Sequence, residues 1–117
     1  MREPVRDRGR LTDILASIDN VLKFTEGMSR DDFFKNPMCY YAVIKNLEIV
    51  GEAANLLTRE FREQHPETPW RIIIGMRNII VHDYSNIDDD TLWNTIQNDL
   101  SPLRAQIEIC FMELSEN

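Results

Sequence analysis

The sequence has few residues that cross-link a chain or break its helices. It holds 2 cysteines, 4 glycines and 5 prolines among 117 residues. Cys39 and Cys110 stand far apart, outside the short spacings of metal or redox motifs. Each falls in an apolar helical pattern, where a free cysteine behaves as a small hydrophobic residue. The sequence therefore predicts no metal or redox centre and favours a cytoplasmic location.

Long apolar runs are also missing. No stretch of about 18 apolar residues occurs, so the sequence predicts no membrane-spanning helix. The first residues, MREPVRDRGR, lack the apolar core of a secretory signal. Apolar residues nevertheless make up 43% of the chain and aromatic residues 9%, which favours a folded globule over a disordered segment. A chain of this length is expected to form a single domain.

Positive charge is in short supply outside the N-terminus. The net charge is −7, whereas nucleic acids are usually bound by basic patches, so a broad basic surface is not expected. The first ten residues are the exception, because they hold four arginines against two acidic residues. We interpret residues 1–9 as a basic N-terminal tail and residues 10–117 as one helical domain. Such a tail could contact a nucleic acid or only solubilise the chain.

Apolar residues recur in steps of three and four along most of the chain, a spacing typical of amphipathic helices. Gly27, Ser29 and Pro37 stand at positions that favour helix ends and starts. Pro102 lacks a backbone donor and is expected to kink or split the last helix. Long helices are predicted over residues 10–27, about 37–63, about 70–84 and after the acidic stretch SNIDDD. The predicted fold is all-α, an antiparallel bundle of four to five helices.

The segment GMRNIIVHDY, residues 75–84, is apolar on two sides of its predicted helix. One side forms a broad stripe that faces the core. Ile74 and Val81 lie on the opposite side, where solvent is expected. A helix that is apolar on both sides is normally covered on both, so we infer that a second copy packs there, with Gly75 allowing close approach. The sequence therefore predicts a homodimer.

The polar residues of this segment suit cleavage of a phosphodiester. Histidine can move a proton near neutral pH, and arginine offers a planar set of donors that matches phosphate. Arg77 and His82 point about 140° apart on an ideal helix, so they meet only if the helix deforms or if two subunits combine them. Asn78 lies one turn before His82 and could hydrogen-bond its imidazole. No metal is needed when the nucleophile is already present in the substrate, as in RNA.

These residues carry a resemblance to a known family. RNIIVHDY matches the Arg-x4-His-x-Tyr signature of HEPN domains, and the surrounding sequence resembles their HepT-type branch among toxin–antitoxin toxins. The matching stretches are NLEIVGEAANLL, PWRIIIGMRN, VHDYSNIDDDTLW and NDLSPL. The resemblance covers roughly residues 10–112, nearly the whole chain.

The resemblance implies a homodimeric, metal-independent endoribonuclease that acts on tRNA or mRNA without a cofactor. It implies that Arg77 and His82 form the catalytic pair at the dimer interface, with Asn78 in the supporting polar position. It also implies a type VII-like toxin–antitoxin system. In such a system an MntA-type minimal nucleotidyltransferase neutralises the toxin by transferring AMP to the motif tyrosine, here Tyr84.

Structural roles are the alternatives for the same residues. Taken alone, Arg77 suits a surface salt bridge, His82 an exposed helix end, and Tyr84 an anchor to the core. Trp70 and Trp93 are expected to be core anchors. At the level of the whole chain, the alternative function is a non-catalytic helical module that binds a nucleotidyltransferase or a nucleotide. Growth arrest that disappears when His82 is changed would distinguish the two functions.

Overall fold

A computed structural model of the chain describes residues 3–71, 73–75 and 87–115, and these residues form helices and their connections. No strand occurs among them, so the all-α prediction is confirmed. None of the helices in these ranges is both long and apolar enough to span a membrane. The elements are α1 (Glu3–Phe24), α2 (Arg30–Phe34), α3 (Pro37–Leu56), α4 (Arg59–Gln64), α5 (Asp89–Asn94), a π-helical segment (Thr95–Asp99) and α6 (Leu100–Ser115).

Helix α1 is the centre of the core. It packs against both α3 and α6, and one stripe of its side chains is almost completely buried. The apolar sides of α3 and α6 supply the facing residues, because each carries an apolar residue at steps of three and four. The buried residues of these three helices include Leu11, Ile14, Ile18, Val21, Val43, Leu47, Val50, Ala54, Leu100, Ile107 and Cys110.

The helix ends in the first half of the chain follow the predicted signals. Gly27 adopts a positive φ of 75° after α1, a conformation that glycine tolerates without strain. Ser29 and Asp32 form a reciprocal capping box at the start of α2. Pro37 occupies the first turn of α3 behind Asn36, whose side chain accepts a hydrogen bond from the backbone of Cys39. These three predictions are confirmed.

The long helix predicted to end near Glu63 is instead broken. Helix α3 ends at Leu56 and α4 begins at Arg59, and Thr58 between them has an extended backbone with ψ 148°. The backbone N–H of Thr58 donates to Asp7 Oδ1 at 2.8 Å, and its hydroxyl donates to Asp7 Oδ2 at 2.7 Å. That hydroxyl also accepts from the backbone N–H of Phe61 and caps α4. The single-helix prediction was wrong, because a distant carboxylate binds the donor groups of Thr58.

The contact between Asp7 and Thr58 also concerns the predicted boundary between the N-terminal tail and the helical domain. The tail was expected to end at residue 9, but α1 begins at Glu3 and continues without interruption through that boundary. Asp7 is only 3% exposed. Residues 3–9 are therefore helical, and at Asp7 they are joined to the junction of α3 and α4.

The predicted disturbance around Pro102 is present one turn before it. Thr95–Asp99 form a π-helical segment between α5 and α6, and the backbone N–H of Leu100 donates to the carbonyl of Thr95. Pro102 cannot donate to the carbonyl one turn earlier, which favours local widening of the helix. The last helix is split between α5 and α6 as expected.

Replacing Asp7 with alanine tests the contribution of its contact. The variant leaves the part-buried donors of Thr58 without their acceptor, so we expect the free energy of unfolding to fall by about 1–3 kcal/mol. Chemical denaturation followed by circular dichroism measures this change. Asp13→Ala is the matched control, because it removes the same charge from an exposed position of α1 and should change stability by less than about 0.5 kcal/mol. Equal effects of the two substitutions would contradict the assignment.

Candidate active site

The predicted active-site residues lie in one segment that the structure does not describe. Arg77, Asn78, His82 and Tyr84 all fall within residues 76–86, outside the described ranges. Their convergence therefore stays a prediction. The structure describes the chain on both sides of this segment, up to Gly75 before it and from Ile87 after it.

The preceding flank is fixed to the core by Trp70. Its ring is only 7% exposed, and its indole Nε1 donates to the carbonyl of His65 at 3.0 Å. Trp70, Arg71 and residues 73–75 are helical, and the backbone N–H of Ile73 donates to the carbonyl of Pro69 at 3.1 Å. The expectation that Trp70 anchors the core is confirmed. The start of the predicted motif helix is thus held in a defined position.

The following flank is fixed by a helix cap. Asp88 accepts hydrogen bonds from the backbone N–H of Thr91 at 2.9 Å and from its hydroxyl at 2.7 Å. These bonds, with a smaller contribution from the charge of Arg30, lower the pKa of Asp88 below its usual value of 3.8. The carboxylate is therefore ionised at neutral pH, where it stabilises the N-terminus of α5. Arg30 also forms an ion pair with Asp90, which connects α2 to α5.

Both flanks line one cavity of about 970 Å³. Ile73 and Gly75 reach it from one side of the undescribed segment, and Ile87 and Asp88 reach it from the other. Much of its wall is apolar, and the leucines that line it are Leu47, Leu92, Leu100 and Leu103. The described chain therefore stops at Gly75 and resumes at Ile87 beside the same cavity.

The described part of the cavity wall is negatively charged. The charged residues among its described lining are Glu67, Asp88 and Asp99, and no lysine, arginine or histidine occurs among them. Carboxylates repel the phosphates of RNA and offer no donor to them. Positively charged groups that bind an RNA substrate would therefore have to come from residues outside this wall. The predicted role of Arg77 agrees with this requirement.

Comparison with known proteins identifies the family. The sequence model described as "Ribonuclease HepT-like" matches residues 14–109. That match covers most of the chain and includes the whole motif segment. The chain belongs to the HepT-like ribonuclease family. The resemblance drawn from the motif is therefore confirmed at the level of the family.

Individual relatives agree over nearly their full length. A Methanocaldococcus jannaschii protein named as a candidate RNase, MJ1380, is 40% identical over 99 residues, which are 85% of this chain and 91% of that protein. A Thermococcus cleftensis protein named "Probable ribonuclease HepT" is 36% identical over 98 residues, 84% of this chain and 89% of its own. A Caldanaerobacter subterraneus candidate RNase, TTE0752, is 36% identical over 101 residues, with coverages of 86% and 90%. No solved structure matches the chain.

The HepT-like match fixes the family without assigning individual residues. Arg77, His82, Asn78 and Tyr84 lie inside the matched range, and their roles rest on the chemistry of their side chains and on the motif. Sequence reasoning did not foresee the contact between Asp7 and Thr58, which positions α4 before the motif segment. No local signal could have revealed it, because the two residues are 51 positions apart.

Proposed function

We propose that the protein is the toxin of a toxin–antitoxin pair and acts as a metal-independent endoribonuclease. The observation that carries this proposal is the HepT-like ribonuclease match over residues 14–109, which contains Arg77, His82 and Tyr84 in the spacing Arg-x4-His-x-Tyr. The proposed substrate is tRNA or mRNA. The names of the relatives support ribonuclease activity in general.

The proposed mechanism uses the 2′-hydroxyl of the RNA as nucleophile. His82 accepts the hydroxyl proton while the oxygen attacks the adjacent phosphorus. Arg77 binds the phosphoryl oxygens and stabilises the charge that develops on them. The bond to the 5′-oxygen breaks, and this oxygen takes a proton from His82 of the partner subunit. The products are a 2′,3′-cyclic phosphate and a 5′-hydroxyl, and the reaction needs no metal-bound water.

A homodimer completes this site in the proposal. In a twofold dimer, residues at the seam lie next to their own copies, so two Arg77 and two His82 would meet in one cleft. Asn78 would hold the imidazole of His82 in the tautomer that accepts the proton. Gly75 leaves room for close packing of a second copy on the side of the described residues, since a Cβ added there would meet none of their heavy atoms within 4 Å. Packing among the residues that the structure describes therefore does not explain a glycine at this position.

The activity is tested by cleavage of total tRNA and mRNA in EDTA. We expect the unmodified protein to cleave RNA and to leave 2′,3′-cyclic phosphate ends. His82→Ala and Arg77→Ala should each reduce the rate by about 10²–10⁴, since each removes a group that acts on the reacting atoms. Arg59→Ala is the matched control for loss of one positive charge, because Arg59 is exposed and pairs with Glu63 on the surface of α4. Circular dichroism at the same EDTA concentration establishes that each variant is folded.

The outcomes of this assay separate the two candidate functions. Cleavage by the unmodified protein and by Arg59→Ala, but not by His82→Ala, supports the nuclease. A folded, unmodified protein that cleaves no RNA would overturn it and favour the non-catalytic module that binds a nucleotidyltransferase. The described wall of the cavity carries carboxylates that repel RNA phosphates. This negative charge is the physical argument for the alternative function.

Neutralisation is proposed to occur by AMPylation of Tyr84. Tyr84 lies seven positions after Arg77 in the sequence, so on a helix the two residues share nearly the same angular position. An AMP group on Tyr84 would bring a phosphate and a bulky base to the cleft, where it could pair with Arg77 and exclude RNA by charge and by size.

Tyr84→Phe tests this regulation separately from catalysis. We expect the variant to keep its nuclease activity and to resist inactivation by the MntA-type nucleotidyltransferase and ATP, because phenylalanine lacks the hydroxyl that accepts AMP. Mass spectrometry should find one AMP on the peptide that contains Tyr84 in the unmodified sequence and none in the variant. Tyr40→Phe is the control substitution. Inactivation of Tyr84→Phe to the same extent as the parent protein would refute the assigned modification site.

The dimer is tested by light scattering of Gly75→Ala. Alanine favours a helix over glycine by up to about 1 kcal/mol, so the folded chain should not lose stability. The added methyl group should nevertheless weaken the dimer, because it occupies the space where the second copy approaches. Gly9→Ala is a matched control, since Gly9 lies in a helix and a Cβ there also meets no atom of the described residues within 4 Å. A parent protein that is monomeric at micromolar concentration would end the dimer proposal.

A further inference from the structure

A cluster of metal-binding side chains lies beside the connection that leads into Trp70. His65 follows α4, Glu67 lies in the next turn, and Cys110 belongs to α6. One ligand atom from each of the three residues lies within 4.8 Å of the others. Glu113, one turn after Cys110, adds a second carboxylate, with Oε2 at 3.9 Å from His65 Nδ1. The cluster thus joins the connection to the last helix.

The histidine of this cluster is held in place by its surroundings. Its side chain is 12% exposed, and its ring packs against Phe61 with 4.5 Å between centroids. Its carbonyl accepts from the indole Nε1 of Trp70 at 3.0 Å and from the backbone N–H of Thr68 at 3.2 Å. The Nδ1 atom lies 3.6 Å from Glu67 Oε1. The imidazole is therefore oriented toward the carboxylates before any ligand binds.

A buried hydroxyl group lies at the same place. Thr68 is 3% exposed, and its hydroxyl has no hydrogen-bond partner among the described residues. The Thr68 hydroxyl lies close to the Cys110 sulfur, and its effect is to lower the pKa of that thiol. Burial, with the charges of Glu67 and Glu113, raises this pKa to about 11. The Thr68 hydroxyl therefore lies where it can donate to the Cys110 sulfur once that sulfur is a thiolate.

The donor set fits zinc. Zinc in proteins binds thiolate, imidazole and carboxylate in a tetrahedral arrangement, with bonds of about 2.3 Å to sulfur and about 2.0–2.2 Å to nitrogen and oxygen. Those bonds place neighbouring nitrogen and oxygen ligands about 3.3–3.5 Å apart, and the sulfur about 3.6 Å from either. The distances of 3.6 and 3.9 Å from His65 Nδ1 to the two carboxylates are close to this value. Ligand atoms within 4.8 Å of one another would draw closer as the metal binds.

We propose that His65, Glu67 and Cys110 bind a zinc ion, with Glu113 as the fourth ligand. The thiol of Cys110 loses its proton to solvent when the sulfur binds the metal. Cys110 is 1% exposed, whereas the side chains of both glutamates are 60% exposed. The metal would therefore reach the site from the glutamate side. With four protein ligands the site is closed to substrate, so its role is structural. This proposal does not depend on the proposed nuclease activity.

The test uses the full chain without an affinity tag, because polyhistidine binds metals. After dialysis against EDTA and its removal, we expect the protein to bind one zinc ion per chain in competition with a chromophoric chelator. Cobalt should give a thiolate-to-metal charge-transfer band. Thermal unfolding should move to higher temperature when zinc is added, because the metal binds the folded state.

Substitutions locate the site. Cys110→Ser should abolish the charge-transfer band, and Glu67→Gln and His65→Gln should each weaken zinc binding by at least about tenfold. Glu67 is exposed, so its substitution tests the proposal even if a variant of buried Cys110 fails to fold. Cys39→Ser is the matched control, because it removes the other cysteine of the sequence and should leave zinc binding unchanged. Absence of stoichiometric zinc binding, or a band lost in Cys39→Ser and kept in Cys110→Ser, would overturn the proposal.

Discussion

Burial of the apolar stripe of α1 between α3 and α6 is the constraint on which the rest of the structure depends. Complete burial of one such side chain stabilises a fold by about 1.5–3 kcal/mol, and Leu11, Ile14, Ile18 and Val21 are all at most 1% exposed. Arg104 adds a link from α6 to Asp19 of α1 at 2.5 Å, but an ion pair this exposed contributes less than about 1 kcal/mol. The apolar stripe therefore decides how the helices pack, and the polar contacts adjust their ends.

The sequence predicts the features that depend on neighbouring residues. Helical spacing identified α1 and most of α3, and Gly27, Ser29 and Pro37 marked their ends, because a cap acts on backbone groups within one turn. The break at Thr58 could not be predicted in this way. It depends on Asp7, which is 51 positions away and approaches Thr58 only when α1 is already packed. Without that contact, the spacing of apolar residues favours one uninterrupted helix, which is the error that the sequence analysis made.

The two candidate sites also differ in how far local sequence predicts them. A catalytic role for Arg77 and His82 is predicted from residue type and local spacing, whereas their proposed convergence depends on contacts that the sequence does not contain. The proposed zinc site, in contrast, is visible only in the packed structure. His65 and Glu67 are neighbours, but Cys110 belongs to the last helix, and only packing of α6 against the rest of the bundle brings its sulfur to them. The sequence analysis therefore found no metal cluster.

Glu67 connects the cavity with the proposed zinc cluster. This residue lines the cavity at the flanks of the motif segment and also belongs to the proposed zinc cluster. A zinc ion would neutralise part of the negative charge there, and charges influence one another over a Debye length of about 8 Å at physiological ionic strength. The wall beside the motif would then repel RNA phosphates less strongly. If the proposed nuclease activity is correct, such a metal would favour RNA binding through charge and stability, while the proposed reaction would still use only Arg77, His82 and the 2′-hydroxyl of RNA.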